Sequence, residues 1–262
     1  MSVFRARSLL SYLLKGRSKY YIHSPYVYEF AEAVLADKRH FYAFDEIADL
    51  RRELSESKQE IRMEELGAGS HSKLDQSNMR KVSEVCKKMA VRARYGRLLF
   101  RLSNHFQPRN ILELGTSLGI GTAYLSKGAL SAQTTSIEGC SDLHQLSREN
   151  LDSIGLEQVE LLKGDFDLVL PEFLKGQGEL DMVFLDGNHR YEPTMRYLGW
   201  MLEHAHEGSL FVMDDIHWSR EMEEAWEAAK ALPQVQISID LFQFGLLFFR
   251  TGQVKEHFRL YY

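Results

Sequence analysis

Residues 111–121 read Ile111-Leu-Glu113-Leu-Gly115-Thr116-Ser117-Leu-Gly119-Ile-Gly121, an apolar run that passes straight into a turn spaced by glycines. Such a run reads as a β-strand, and the glycines let backbone approach a ligand closely because no Cβ stands in the way. A second strand-like run, Thr134-Thr-Ser-Ile-Glu138, ends in a carboxylate. A carboxylate roughly twenty residues beyond the glycines, at the end of the next strand, is placed to accept both hydroxyls of a ribose. Together the two runs describe a nucleoside-binding crevice at the carboxyl edge of a parallel sheet.

The glycine spacing separates three kinds of crevice. A dinucleotide site wants Gly-x-Gly-x-x-Gly, and here Thr116, Ser117 and Leu118 widen the first gap. A phosphate loop needs Gly-Lys-Ser/Thr, and no lysine follows these glycines. The remaining pattern, Glu/Asp-x-Gly-x-x-x-Gly, resembles motif I of the class I S-adenosylmethionine-dependent methyltransferases. The resemblance implies that Glu113, Gly115, Thr116, Ser117 and Gly119 line the methionine end of the cofactor. It implies further that Glu138 and Gly139 hold the ribose, and that Asp165 and Phe166, after Leu161-Leu-Lys-Gly164, meet the adenine. Asp186 is expected at the cofactor as well.

Working outward, apolar runs near residues 110, 135, 160, 182 and 211 alternate with helical stretches, the β-α-β order of a doubly wound sheet. Leu180-Asp-Met-Val-Phe-Leu185 and Ser209-Leu-Phe-Val-Met213 are nearly all apolar, as strands buried on both faces should be. Val235–Asp240 and Phe244–Arg250 then form two close strands with a short connection. A terminal antiparallel hairpin is characteristic of the family, and the resemblance covers roughly residues 95–250. The expected fold is therefore α/β, with a doubly wound, seven-stranded Rossmann-like sheet and a terminal hairpin. Residues 95–262 would form the cofactor-binding core and residues 1–94 a helical extension.

Asp186 follows the fourth strand, and Asp214 and Asp215 follow the fifth. Adjacent parallel strands deliver their ends to one rim, where three carboxylates would repel unless a hard cation such as Mg²⁺ sat between them. The placement resembles the catechol and caffeoyl-coenzyme A O-methyltransferase group, in which an Asp and an Asp-Asn pair hold a divalent metal. Here the pair is Asp-Asp. That group carries a lysine base three residues after the first Asp, and the corresponding residue here is His189. Asp186-Gly-Asn-His189-Arg-Tyr191 instead resembles a broader branch of small-molecule and sugar O-methyltransferases, so the catechol substrate does not carry over. A histidine titrates near neutrality and can take a proton from an acceptor hydroxyl. His217 reads as a structural residue ahead of a fourth metal ligand, and Asp215 as either a ligand or a helix N-cap.

Other catalytic constellations are lacking. Cys86 and Cys140 have no metal-like spacing and read as buried bystanders, and no Gly-x-Ser-x-Gly elbow occurs. Gly67-Ala-Gly-Ser70-His71 reads as a surface loop ahead of a substrate lid. Helices are expected at residues 1–14, after Ser24-Pro25, over 44–54 and over 79–106. Up to Arg109 the chain holds 21 Lys and Arg against 13 Asp and Glu; from Asn110 on it holds 11 against 24, which gives the net charge of −5. The basic part is expected to dock onto acidic neighbours or to hold a small anionic substrate in preference to nucleic acid. Hydrophobic residues at 44% and the absence of a long apolar run are the composition of a globular, cytoplasmic protein with no membrane segment. The aromatic end (Phe258, Tyr261, Tyr262) is available for a homodimer contact.

The expected activity is that of an S-adenosylmethionine-dependent O-methyltransferase acting on a small hydroxylated metabolite, with Asp186, Asp214 and Asp215 on a divalent metal. Two alternatives stay open: an RNA-modifying methyltransferase with a basic N-terminal surface, and a non-catalytic cofactor-binding scaffold.

Overall fold

The computed structural model describes residues 3–63 and 78–262. The glycine loop at 67–71 lies outside the described residues. Eight strands belong to one mostly parallel sheet: β1 Asn110–Leu114, β2 Gln133–Glu138, β3 Glu160–Lys163, β4 Leu180–Leu185, β5 Ala205–Met213, β6 Ile237–Asp240, β7 Gly245–Phe248 and β8 Glu256–Arg259. The chain divides into two compact units, Lys38–Phe173 and Met1–Asp37 with Leu174–Tyr262.

In the Lys38–Phe173 unit, β1, β2 and β3 run parallel in that order, with Leu114 opposite Ile137 and Ile137 opposite Leu162. Ile111, Leu112, Glu113 and Leu114 are all buried, so β1 is covered on both faces. Helices Ala93–Phe106 and Ile120–Gly128 pack unusually close. A Cβ on Gly96 would overlap the Tyr124 ring, and one on Gly128 would lie 2.5 Å from the Phe100 carbonyl oxygen. Glycine is required at both positions because the neighbour occupies the Cβ space.

The helix expected over 79–106 is broken. Met79–Lys81 is a short strand antiparallel to Glu60–Arg62, Val82–Lys88 is a helix, and Ala93–Phe106 is a second one. Between them the Arg51 guanidinium donates to the Val91 carbonyl, and Val91 is buried. Val91 keeps the apolar spacing of a helix while its carbonyl is taken by a side chain, so periodicity alone could not reveal the break. Arg97 and Arg101 stack over Phe44 at 5.4 and 5.3 Å, and Lys127 pairs with Glu46 at 2.8 Å. Arg97 and Arg101 of the basic part thus lie on a local aromatic ring.

In the other unit the strand order is β8-β6-β7-β5-β4. β5 is parallel to β4, β7 is antiparallel to both β5 and β6, and β8 is parallel to β6. The expected hairpin is β6–β7, and the sheet is one strand larger than the sequence implied. Two polar side chains explain the extra strand. His257 bonds Ser238 Oγ at 2.7 Å, and Arg259 Nε donates to Asp240 at 2.8 Å, so alternate residues of β8 are anchored on β6.

Helix Val3–Lys15 is tied to the chain end: Tyr12 OH donates to the Leu260 carbonyl, and Tyr261 OH donates to the Leu13 carbonyl at 2.7 Å. The aromatic C-terminus therefore packs on this helix of its own chain. Helix Pro25–Phe30 begins after Ser24, which makes no side-chain cap bond, and continues as a wider turn, Ala31–Leu35. Trp226 on helix Arg220–Ala231 is fully buried against Gly245, where a Cβ would come within 2.5 Å of the indole. Among the described residues no helix is long and apolar enough to cross a membrane.

Candidate active site

The turn after β1 needs positive φ at three places: Gly115 at 101°, Ser117 at 50° and Gly119 at 78°. This coils the chain so that the Ser117 N–H turns toward the end of β2. Glu138 receives it: its Oε2 accepts from the Ser117 N–H at 2.8 Å, while its Oε1 accepts from the Cys140 N–H just after β2, also at 2.8 Å, with the Gly139 N–H as a further donor. Of the roughly four acceptor directions of a carboxylate, about one stays open after these three bonds. Burial raises the Glu138 pKa and the backbone donors oppose that rise. The result is a carboxylate fixed by backbone.

Glu113 is turned inward. Its Oε2 accepts from Thr122 Oγ1 and, at 2.6 Å, from Ser136 Oγ, which also meets Thr116 Oγ1 at 2.6 Å. Burial pushes its pKa up to about 7, against the pull of the two hydroxyls. The group ties β1, the turn and β2 together. Asp165 Oδ1 accepts the Asp167 N–H at 2.9 Å, so this acid starts the helix Phe166–Lys175. Phe166 is half-buried beside it. Both cysteines are buried, with their thiols directed at the Arg51 and Arg62 carbonyls, in agreement with a bystander role.

In the other unit the ends of β4 and β5 do bring the expected acids together. The Asp214 N–H donates to the Leu185 carbonyl at 2.9 Å, which locks the two strand ends. Asp214 is buried, its side chain bonded to Asp186 and Gln243, and its Oδ1 accepts the Asp215 N–H at 2.7 Å. Burial, with the Asp215 charge adding to it, raises the Asp214 pKa strongly. Two carboxyl groups joined by a hydrogen bond share a proton. Asp215 has φ 50° and pairs with Arg5 at 3.4 Å. It does not cap the following helix; Ser219 does, accepting the Met222 N–H at 3.2 Å.

His189 Nε2 lies 3.7 Å from Asp186 Oδ1. Its loop is held by Asn188, at φ 53°, whose amide donates to Tyr197 OH and whose carbonyl accepts from Thr194 Oγ1, each at 3.3 Å. Burial lowers the His189 pKa while the Asp215 charge works against that, so the imidazole is neutral and able to accept a proton at neutral pH. His217 belongs elsewhere. It is buried, 3.1 Å from Asp240 and stacked on Phe242 at 5.4 Å. Burial alone would raise the Asp240 pKa, but His217, the Phe242 N–H and Arg259 hold it below the usual carboxylate range. His217 is structural.

The carboxylates offer hard oxygen donors, which a divalent cation favours. As arranged they are spent on one another and on Arg5, and among the described residues no three His, Cys, Asp or Glu side chains are gathered so as to hold a metal ion. Sequence reasoning missed Arg5, Gln243 and Tyr197 at this rim. None lies in a motif; Arg5 and Gln243 arrive from distant elements, and Tyr197 from the helix Tyr191–Leu202 that follows the His189 loop.

Residues 112–216 match a family described as a methyltransferase domain. Catechol O-methyltransferases of Mycobacterium tuberculosis and Niastella koreensis are 31% and 29% identical to the chain over 131 residues. Those residues are 49% of this chain and 58% of each relative, so the chain spans less than two thirds of the curated relatives it matches. An O-methyltransferase of Streptomyces achromogenes, solved with SAM, shares the fold at a TM-score of 0.57 and 20% identity, over 86% of this chain and 95% of that one. An O-methyltransferase of Bacillus cereus, solved with SAH, does so at a TM-score of 0.55 and 16% identity, over 84% and 94%.

Proposed function

We propose that this chain, which carries a methyltransferase domain of the class I fold, is an S-adenosylmethionine-dependent O-methyltransferase acting on a small hydroxylated metabolite. The observation that carries the reading is Glu138, a carboxylate pinned by the N–H groups of Ser117 and Cys140 beside the Gly115–Gly119 turn. In this reading Glu138 takes the ribose hydroxyls, the Gly115–Gly119 backbone takes the methionine end, and Asp165 with Phe166 takes the adenine. Glu113 keeps the turn in shape from beneath. Residues 95–262 would be the catalytic part and residues 1–94 an extension to it.

His189 accepts the acceptor proton at Nε2, with Asp186 beside it to stabilise the imidazolium that forms. When bound, S-adenosylmethionine would supply a methyl group activated by its sulfonium, with the thioether as the leaving group when an acceptor oxygen takes the methyl. The sulfonium already activates the methyl group, so the protein's share is positioning and removal of one proton. A divalent metal has no step here, because the rim as arranged does not fit one.

The test is calorimetric titration of S-adenosylmethionine into the full chain and into Glu138→Ala. Micromolar binding that the variant loses is the expected result. Equal binding in both proteins would remove Glu138 from the cofactor site, and binding in neither would overturn the cofactor assignment and leave a scaffold role in its place.

A further inference from the structure

The acidic rim has a cation of its own. Arg5, on helix Val3–Lys15, places its guanidinium 3.4 Å from Asp215 Oδ1 and 4.7 Å above the Trp218 ring. The Arg5 side chain is 14% exposed and that of Asp215 19%, which makes this a largely covered pair, unlike the solvated pairs on the helix surfaces. Trp218 is otherwise an exposed indole, 51% accessible, and its face serves as the plate on which the guanidinium lies.

The helix is fastened so that Arg5 reaches this point. Tyr12 bonds the Leu260 carbonyl, its ring meets Phe242 at 5.3 Å, and Phe242 in turn stacks on the buried His217. Asp215 itself sits at φ 50°, in the left-handed region, and its carboxylate meets the Arg5 guanidinium at 3.4 Å. Asp186 and Asp214 are already bonded to each other, so Asp215 is the member of the trio left to pair with a cation.

We propose that Arg5 takes, at this rim, the place a divalent cation would otherwise fill, and that the N-terminal helix thereby makes the acceptor end independent of metal. Arginine suits the task. Its planar charge lies flat on an indole while one edge addresses a carboxylate, and a lysine ammonium does only the second. Arg5 is a positioning residue here: it fixes the Asp215 carboxylate and the charge of the rim beside His189. Its part in acceptor binding rests on the proposed function, but its exclusion of metal does not.

Mn²⁺ binding, followed by loss of the free-ion electron paramagnetic resonance signal, tests the exclusion without acceptor or cofactor. The full chain would be compared with Arg5→Ala, Arg5→Lys and the double variant Arg5→Ala/Asp215→Asn. We expect weak binding by the parent chain and by Arg5→Lys. Arg5→Ala should bind on the order of tenfold tighter or more, and Asp215→Asn should reverse the gain. Unchanged thermal melting of Arg5→Ala would show that it folds. The proposal is overturned if the parent chain binds Mn²⁺ as tightly as Arg5→Ala does, or if removing Arg5 opens no site. A chain that showed the expected Mn²⁺ pattern but bound no S-adenosylmethionine would sink the proposed function and leave this inference standing.

Discussion

The two candidate regions, one in each unit, are built by different means. The turn after β1 is local: Glu113, Thr116, Ser117, Thr122, Ser136, Glu138 and Cys140 bond one another within a single β-α-β stretch, mostly through backbone N–H groups and hydroxyls. The acidic rim is assembled from afar, with Arg5 meeting Asp215 across 210 positions and Gln243 joining Asp214 from the β6–β7 connection. The first is held by hydrogen bonds to backbone and hydroxyl groups. The second balances several buried charges, and removing one leaves another uncompensated.

The largest expected effect falls on the rim. His189→Ala should lower methyl transfer by about 10²- to 10⁴-fold, the usual worth of a positioned general base. S-adenosylmethionine affinity should stay within about twofold, since His189 makes no part of the β1 turn. Turnover measured with any responding acceptor, alongside calorimetry, checks both. Retained turnover would remove His189 from the mechanism, and a matching loss of cofactor affinity would show that the two halves are not separable.

A buried acid in the first half gives the next effect. The folded pKa of Glu113 is raised from 4.5 to about 7, so the native state holds a proton that the unfolded chain releases between those values. Its contribution to stability is therefore full below pH 4.5 and is lost as pH rises through about 7. The change amounts to about 3 kcal/mol at most. Glu113→Gln mimics the protonated form, and its denaturation free energy should fall less steeply over this window than that of the parent chain. Parallel pH profiles would mean that Glu113 is ionised in the folded protein.

Glu138→Ala comes third. It removes the proposed ribose acceptor and strands the Ser117 and Cys140 N–H groups, so cofactor affinity should drop by about 100-fold, near 2.7 kcal/mol. Acceptor affinity measured with the product cofactor absent should be unchanged. That pairing, set against the His189 result, is the sharpest form of the comparison.

What could be read from the sequence follows the same division. The strand–turn–strand stretch 110–138 was legible because its apolar runs and glycine spacing mark two neighbouring parallel strands and the turn that leaves the first, although most of its side-chain bonds join residues 20 to 23 positions apart. The acids after β4 and β5 were legible as residues, since strand ends share a rim, but their pairing was not. Asp214 bonding Asp186 and Arg5 covering Asp215 depend on side-chain directions that no periodicity specifies. β8 went unread for a related reason: its anchors, Ser238–His257 and Asp240–Arg259, are cross-strand polar pairs without an apolar run to announce them. The interruption at Val91 was hidden because a buried residue kept the helical spacing while its carbonyl bonded Arg51.

The smallest effect tests whether the cofactor half owes its shape to packing as well as to its own bonds. Helix Ile120–Gly128 starts directly after Gly119, and its Tyr124 ring fills the space where residue 96 would carry a Cβ. Gly96→Ala must push that ring aside. Ring and helix sit in a fully buried layer with Leu98, Leu99 and Leu125, so relaxation is limited. Overpacking of this kind costs about 1–3 kcal/mol, part of it offset by the better helix propensity of alanine. The midpoint of thermal melting should fall by a few degrees. Cofactor affinity should weaken slightly as the helix start shifts, and the Mn²⁺ behaviour of the rim should not change, because nothing on helix Ala93–Phe106 belongs to it. A stability loss with no change in cofactor affinity would show that the bonds to Glu113 and Glu138 hold the turn without help from the helix packed behind it.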